Sequence, residues 1–338
     1  MLKKHFFKIL AGVIISSALI YLTFRNIDFT ATFDTIKKAN CVLLLLAAAL
    51  YAFTYILRSI RYYFMILPIK QTRVFENLPY TILGFFMNNI IPLRIGELVR
   101  AKITGERLKI SRSSILATIV VERLFDIIIF VASFFVIMLV MPFPEIIKKS
   151  FYVCAVVFGI GLVILFLITK HEKKALQLVS KLPLPHRIKN LVSELFDKFT
   201  GGLATLKKPS AFLISFLMSA LIWLTESAVL VIAAYAFGIN LPHVILGGLF
   251  TVIIIGIGAI VPTAPGYIGA FEYFGSNLAL IQGLSIEASK AVACILTYHF
   301  IQIGVIFILG SASIVKTKIS FNDLFKFAKI EDNKNEKE

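Results

Sequence analysis

Along nearly its whole length the chain returns to apolar runs of about twenty residues. A helix rises about 1.5 Å per residue, so a run of this length matches the roughly 30 Å hydrocarbon core of a bilayer. In that medium every backbone N–H and C=O needs a partner inside the protein, which restricts such runs to helices. Composition agrees. Of 338 residues, 58% are hydrophobic and 16% charged, and the mean hydropathy is +0.88. A soluble domain would carry roughly 25% charged residues. The expected fold is therefore an all-α polytopic membrane protein. The formal net charge of +16 does not point to nucleic acid, because the basic residues sit between the apolar runs, where they orient a membrane protein and attract anionic lipid.

The runs predict about six full spans, at 6–24, 41–67, 112–140, 151–169, 210–237 and 287–315. No clear small-x-small cleavage site follows the first, so it reads as a retained helix rather than a signal peptide. Residues 25–40 read as a polar stretch of mixed charge. Cys41, Cys154 and Cys294 all fall in apolar runs without metal-like spacing, and are expected to be buried free thiols. No metal and no cofactor is expected.

Two stretches interrupt this pattern. Asn88-Asn89-Ile90-Ile91-Pro92-Leu93-Arg94-Ile95-Gly96-Glu97 and Val261-Pro262-Thr263-Ala264-Pro265-Gly266-Tyr267-Ile268-Gly269-Ala270-Phe271-Glu272 share one grammar: an apolar approach, a proline, a glycine, then a glutamate opening a new helix. Residues 78–91 before the first break would span only about 21 Å, too short to cross, which predicts a re-entrant hairpin that returns to its own side. Residues 244–262 and 266–282 predict a second broken pair.

Charges also lie inside the spans. Ser114, Thr118, Glu122 and Asp126 recur every fourth residue and share a helix face, beside Arg123. Three mid-membrane charges cost roughly 8–10 kcal/mol on the insertion scale. The apolar residues of the same run return roughly 5–11 kcal/mol. The polar stripe must therefore face protein or water. Glu226 sits well inside the fifth span, and Tyr298, His299 and Gln302 lie near the middle of the last. Arg58 has two readings: a side chain snorkelling with Arg61 to an aromatic-belted cytoplasmic end, or a group reaching into a substrate path. Arg123 with Asp126 and Glu97 with Arg100 are spaced i,i+3, and can form ion pairs within their own helices.

The two halves correspond in order and spacing. Arg58 precedes Pro92 by 34 residues and Glu226 precedes Pro262 by 36; Glu97 precedes Glu122 by 25 and Glu272 precedes Tyr298 by 26. In that register Arg123 matches His299 and Asp126 matches Gln302. The basic N-terminus, 70–73, 102–112, 170–208 and the tail are assigned to the cytoplasm by the positive-inside rule. The repeats, about 41–140 and 210–315, are then inverted, with one break opening to each side; Lys148 and Lys149 are the misfit. Between them, 170–208 carries nine basic and three acidic residues, with Ile188, Leu191, Val192, Leu195, Phe199 and Leu203 at helical spacing, and reads as an interfacial amphipathic helix. The domain scheme is one transmembrane domain over 1–318 and a polar cytoplasmic tail over 319–338, with both termini cytoplasmic.

Inverted repeats with broken helices at mid-depth are the architecture of alternating-access carriers. Half-helix N-termini suit an anion such as a phosphate. Gly96, Gly266 and Gly269 permit close backbone approach, and Arg94 and Arg100 can clamp a phosphodiester. Glu97, Glu122, Asp126, Glu226 and Glu272 can neutralise the arginines or meet an amine. Candidate substrate-binding residues are these, with Arg58, Asn89, Arg123, Pro262 and His299.

The run Asn89–Pro92–Arg94–Gly96-Glu97–Arg100, the Glu122-Arg123–Asp126 trio and Pro262–Pro265-Gly266–Gly269–Glu272 together resemble the lysylphosphatidylglycerol synthase transmembrane-region, or flippase-like, family over about 5–318. The resemblance implies a multi-pass protein of the cytoplasmic (inner) membrane, whose relatives move aminoacylated phosphatidylglycerol between leaflets or accompany polyprenyl-phosphate and glycolipid pathways. Relatives that synthesise the lipid carry an aminoacyltransferase domain absent from this sequence, so synthase activity is not expected. No Gly-x-x-x-x-Gly-Lys-Ser/Thr loop is present, so ATP is not the expected driver. The expected function is translocation of an anionic or aminoacylated phospholipid, or a polyprenyl-phosphate-linked lipid, with membrane lipids as partners. The alternatives are an intramembrane lipid-modifying enzyme using Glu122, Asp126 and His299, or a non-catalytic partner of a glycosyl- or aminoacyl-transferase.

Overall fold

The computed structural model describes residues 2–91, 95–141 and 208–325, with scattered positions between 145 and 160. Every regular element among them is helical. In chain order these are α1 (Leu2–Phe24), α2 (Phe29–Lys37), α3 (Cys41–Ile66), α4 (Val74–Ile90), α5 (Gly96–Leu108), α6 (Arg112–Val140), α7 (Pro209–Ala236), α8 (Ile245–Gly258), a 3₁₀ turn (Pro265–Tyr267), α9 (Ala270–Glu272) running directly into a π-helix (Tyr273–Gly283), and α10 (Ala288–Thr317).

The helices α3, α6, α7 and α10 are each long and apolar enough to cross a bilayer, and α1 makes a fifth with its 86° bend into α2. Their outward faces carry Val42, Leu45, Leu139, Ile308 and Val315, an apolar surface suited to lipid. The span expected at 151–169, the amphipathic segment at 170–208, and Pro92 and Arg94 of the first break lie outside the described residues.

Local chemistry sets the helix boundaries. Asn40 caps α3, its Oδ1 accepting from the amides of Val42 and Leu43 at 3.0 and 3.2 Å. Ser111 caps α6, and its hydroxyl accepts from the Ser114 amide. Residues 25–40, read as a polar stretch of mixed charge, contain α2, which Asp28 caps at the Ala31 amide and which packs on α10.

The bundle is organised by α3 and α7, which lie antiparallel. At one end the Asn40 amide donates to the Ala236 carbonyl; in the middle Arg58 meets Glu226; toward the other end Arg61 meets Ser219. The first hairpin, α4–α5, starts and finishes at the C-terminal end of α3, where Lys70 Nζ donates to the Leu108 carbonyl across its mouth. The second hairpin, α8 to the π-helix, starts and finishes at the C-terminal end of α7: Gly247 abuts Leu284, and Gly283 abuts the Phe250 ring. Because α3 and α7 are antiparallel, the two hairpins enter the bundle from opposite ends.

Aromatic wedges brace each hairpin against the other half. Phe86 of α4 fills the notch at Gly310 of α10 and packs edge-on to Phe307. Phe130 of α6 fills the notch at Gly256 of α8. The helices α6 and α7 are parallel, with Phe125 on Phe212 and Phe216 and Phe130 on Trp223. Met141 and Lys208 therefore lie at opposite ends of the bundle. Arg107 of α5 donates to the Thr317 carbonyl, placing the end of α10 at the mouth of the first hairpin.

One boundary and one burial differ from expectation. Ile319 and Leu324, in the stretch assigned to a polar tail, are buried in the main core, since Phe321 follows Phe86 under the first hairpin. Cys294 is a buried thiol as expected, but Cys41 opens α3 at the bundle end and faces outward; Cys154 lies outside the described residues.

Closure of the first hairpin depends on a missing side chain. A β-carbon at Gly96 would sit 2.1 Å from the Gly84 carbonyl oxygen and 2.6 Å from Asn88 Oδ1. The Gly96→Ala variant is expected to lose about 1–3 kcal/mol, the usual cost of forcing atoms into a packed interior. Thermal unfolding in detergent checks this; an unchanged melting temperature would contradict it.

Candidate functional site

The two breaks meet at mid-bundle. Gly266 of the second faces Asn89 of the first: a β-carbon there would lie 3.7 Å from the Asn89 carbonyl oxygen. A cavity of about 300 Å³ opens beside this junction. Its polar wall holds Arg58, Glu97, Arg123, Asp126, Glu226 and His299, with Asn88 and Asn89 from the end of α4. Its apolar wall comes from α6 and α8, including Phe130, Val131 and Ile257, with Ile260 just past the end of α8. A second, smaller cavity of about 180 Å³ lies between the breaks themselves, lined by Asn88, Ile91 and residues 259–265, Pro262 among them.

The polar wall and the residues behind it are held by buried ion pairs. Arg61, fully buried, donates from Nη1 to Asp126 Oδ1 at 2.7 Å and to the Ser219 hydroxyl at 2.9 Å, and from Nη2 to Glu122 Oε1 at 3.1 Å. Arg100 donates to the other Glu122 oxygen at 2.7 Å, with its guanidinium 3.8 Å above the Tyr62 ring. Arg123 reaches Glu97 through Nε at 3.0 Å and Asp126 Oδ2 through Nη1 at 3.3 Å. Trp223 donates its indole N–H to Asp126 at 3.0 Å. Arg58 donates to Glu226 at 2.7 Å and lies over the Phe85 ring. Four arginines thus face four carboxylates, a balance that lets so many charges sit at mid-depth: an ion taken out of water costs several kcal/mol (roughly) unless it is paired and hydrogen-bonded.

One pair differs from the rest. The side chains of Arg123 and Glu97 are 32% and 26% accessible, while Arg61, Arg100 and Glu122 are at most 2% accessible. The open pair faces the cavity and the closed pairs lie behind it. Arg100 and Glu122 belong to the support beneath the wall, and Gly96 to the closure of the hairpin.

Several sequence expectations change here. Arg58 and Arg61 do not snorkel: both point inward, because α3 turns that face toward the acids of α6 and α7. Glu97 does not pair with Arg100 within α5. It crosses to Arg123, and Arg100 crosses to Glu122, since adjacent helices bring those partners closer than one turn of the same helix does. The Arg123–Asp126 pair forms as expected. Arg94 lies outside the described residues.

The second break is held differently. Gly269 has φ +90°, a conformation that L side chains rarely adopt, and its amide donates to Glu272 Oε2 at 2.7 Å. Glu272 Oε1 lies 2.5 Å from His299 Nδ1, and His299 Nε2 lies 2.8 Å from the Gly266 carbonyl oxygen. Phe271 stacks on the imidazole at 4.0 Å. From the other side, the Ser16 hydroxyl of α1 donates to the Ile268 carbonyl and accepts from the Ala264 amide, both at 2.8 Å. In both halves, then, the glutamate just past the break forms an ion pair with the nitrogen-bearing side chain at the middle of the following span: Glu97 with Arg123, Glu272 with His299.

This order of breaks and mid-span charges runs through the whole described bundle. The chain belongs to the lysylphosphatidylglycerol synthase TM region family. The family model matches residues 9–310. No match was found among curated proteins or among solved structures. A multi-pass membrane protein of the kind associated with lysylphosphatidylglycerol synthases follows from the family and from the apolar helices.

Arg61, Trp223 and Tyr298 were not singled out as site residues by sequence. Tyr298 approaches Glu226 at 3.5 Å and lines the cavity with Tyr51, Tyr55 and Tyr267. A signal existed for Arg61: it follows Arg58 by three residues and so shares its helix face. Nothing comparable marked Trp223, whose indole looks like any interfacial aromatic until α6 is packed beside it.

Proposed function

We propose that the protein is a lipid translocase of the cytoplasmic (inner) membrane, moving an anionic or aminoacylated phospholipid, or a polyprenyl-phosphate-linked lipid, between leaflets, with both termini in the cytoplasm. The observation that carries this reading is the partly open Arg123–Glu97 pair, set in the cavity where hairpins from opposite ends meet. A headgroup phosphate reaching the cavity would take the place of Glu97 on Arg123, and an amine on the same headgroup would meet the released Glu97 carboxylate. The exchange replaces one ion pair with another, so a charged headgroup enters mid-membrane without an unpaired charge. The apolar wall of α6 and α8 suits the first methylenes of the acyl chains.

The correspondence of the halves supports alternating access. Each half supplies a hairpin to the junction, one from each end, as inverted repeats about 41–140 and 210–315 would require. Freeing one hairpin at a time would open the cavity to one leaflet at a time. Basic residues at 70–73 and 102–112 favour the cytoplasm for the mouth of the first hairpin.

An intramembrane transferase fits less well. Glu122 accepts from Arg61 and Arg100, and Asp126 from Arg61, Arg123 and Trp223. To act as acid or base, either carboxylate would first have to give up these partners to reach a substrate atom. Purified protein in liposomes is expected to speed the leaflet exchange of a fluorescent anionic phospholipid above that of protein-free vesicles, read by one-sided chemical quenching. Equal rates with and without protein, across anionic, aminoacylated and polyprenyl-phosphate lipids, would overturn the reading.

A further inference from the structure

The Glu272–His299 pair has a property that the arginine pairs lack. His299 Nε2 faces the Gly266 carbonyl oxygen at 2.8 Å, and a carbonyl can only accept, so Nε2 carries a hydrogen. His299 Nδ1 faces Glu272 Oε1 at 2.5 Å, so a second proton must lie between those two atoms. Imidazolium with carboxylate meets this requirement, and so does neutral imidazole with carboxylic acid; both hold the same total number of protons. Withdraw one proton and two acceptors face each other, either Nδ1 with the carboxylate or Nε2 with the Gly266 carbonyl. One of the two bonds is then lost.

Both bonds fasten α10 to the second break: one reaches its Gly266 carbonyl, and the other reaches Glu272, whose Oε2 in turn holds the Gly269 amide at 2.7 Å. Both glycines sit at positive φ, +71° and +90°. The surroundings contribute few competing charges. From α10 come Tyr298 and Gln302, from the 3₁₀ turn Tyr267, and from α3 Tyr51 and Tyr55. Glu226 of α7 reaches the site only through Tyr298 and is already paired with Arg58 of α3. Across the cavity stand Arg123 and Asp126 of α6, paired with each other, and Glu97 of α5 on Arg123; α4 offers only Asn88 and Asn89 there. The helix α8 has no titratable residue, and residues 10–24 of α1 have only Tyr21.

We propose that Glu272 and His299 form a proton-binding site that locks the second break when loaded and frees it when empty. Resting on the translocase reading, we infer further that the proton is the ion coupled to lipid movement. In the first half the corresponding pair, Glu97–Arg123, stays charged and exchanges with the headgroup; in the second half the cation is one that can lose its proton. One half would then respond to lipid and the other to protons.

Hydrogen–deuterium exchange in lipid nanodiscs tests the site without any transport. After correction for intrinsic exchange, peptides covering 262–270 are expected to exchange about tenfold faster at pH 9 than at pH 6, the effect of losing one buried hydrogen bond. Peptides from α7 should not change. The Glu272→Gln variant copies the loaded pair: its amide N–H can donate to Nδ1 while its oxygen accepts from Gly269. It should show no excess at 262–270, with α7 protected as in the wild type. A wild type without the excess, or a variant that keeps it, overturns the proposal. Nitrogen-15 histidine spectra give a second readout in the wild type. The His299 resonances, assigned by their absence in His299→Gln, should report a single proton loss; a ring bearing hydrogen only on Nδ1 at every pH overturns the site. In proteoliposomes an imposed proton gradient should speed lipid exchange by the wild type and not by Glu272→Gln. Lipid exchange indifferent to the gradient in the wild type overturns the coupling. Absence of any lipid exchange overturns the translocase reading and with it the coupling, while the site is decided by the other two measurements.

Discussion

Arg61→Ala is expected to cost about 3–5 kcal/mol, the loss seen when one partner of a buried ion pair is removed and the other is left uncompensated. Arg61 has no accessible surface and holds Asp126, Glu122 and Ser219 together, joining α3 to α6 and α7. Alanine would leave a cavity the size of a guanidinium lined by two carboxylates. Arg100 would still hold Glu122, and Arg123 and Trp223 would still hold Asp126, but the tie to α3 would be gone. Arg61→Lys should fall between the two, because one ammonium cannot match the fork geometry that reaches both carboxylates. Dye reaction at the buried thiol of Cys294 during heating in detergent, with Cys41 and Cys154 replaced by serine, reports the unfolding. A midpoint for Arg61→Ala equal to that of the parent would show that the network does not hold the bundle.

Arg123→Gln is expected to do the reverse: leave the fold and remove transport. The side chain is about a third accessible, and an ion pair of that exposure contributes roughly 0–1 kcal/mol to stability. Asp126 keeps Arg61 and Trp223, and Glu97 keeps the open cavity. A charge-assisted bond to a headgroup phosphate is worth about 1.5–3 kcal/mol, so leaflet exchange of an anionic lipid should slow roughly ten- to a hundredfold. The leaflet-resolved assay and the melting temperature must be read together. Transport at the wild-type rate would remove Arg123 from the binding site; a fall in transport matched by a large fall in stability would make it another support residue like Arg61.

These arginines differ in what surrounds them. Arg61, Arg100, Glu122 and Asp126 form a closed lattice that fixes where the helices lie. Arg123 and Glu97 stand on that lattice and face the cavity. A group that binds a ligand must be free to change partners, and the lattice leaves that freedom to the outermost pair.

The long spans were legible in the sequence because hydropathy over twenty residues is a local property with a physical length attached. The breaks were legible for a similar reason: Pro262, Gly266 and Gly269 state their backbone consequences within a few residues, and Gly269 indeed has a positive φ. Spacing also matched Arg123 with His299 between the halves, and each of the two lies against the glutamate that follows the break in its own half. Partner choice could not be read. Four arginines and four carboxylates can be matched in many ways, and helical spacing favoured Glu97 with Arg100. The antiparallel fit of α3 on α7 puts Arg58 against Glu226, and the packing of α5 on α6 sends Arg100 to Glu122 and Glu97 to Arg123. The rotation of each helix about its axis selects among such pairs, and that rotation is set by side chains on neighbouring helices far away in the chain. Sequence by itself therefore determined that this protein crosses a membrane and where its helices break; only the tertiary structure decided which of its charges turn inward, which of them join the helices and which stand open to the cavity.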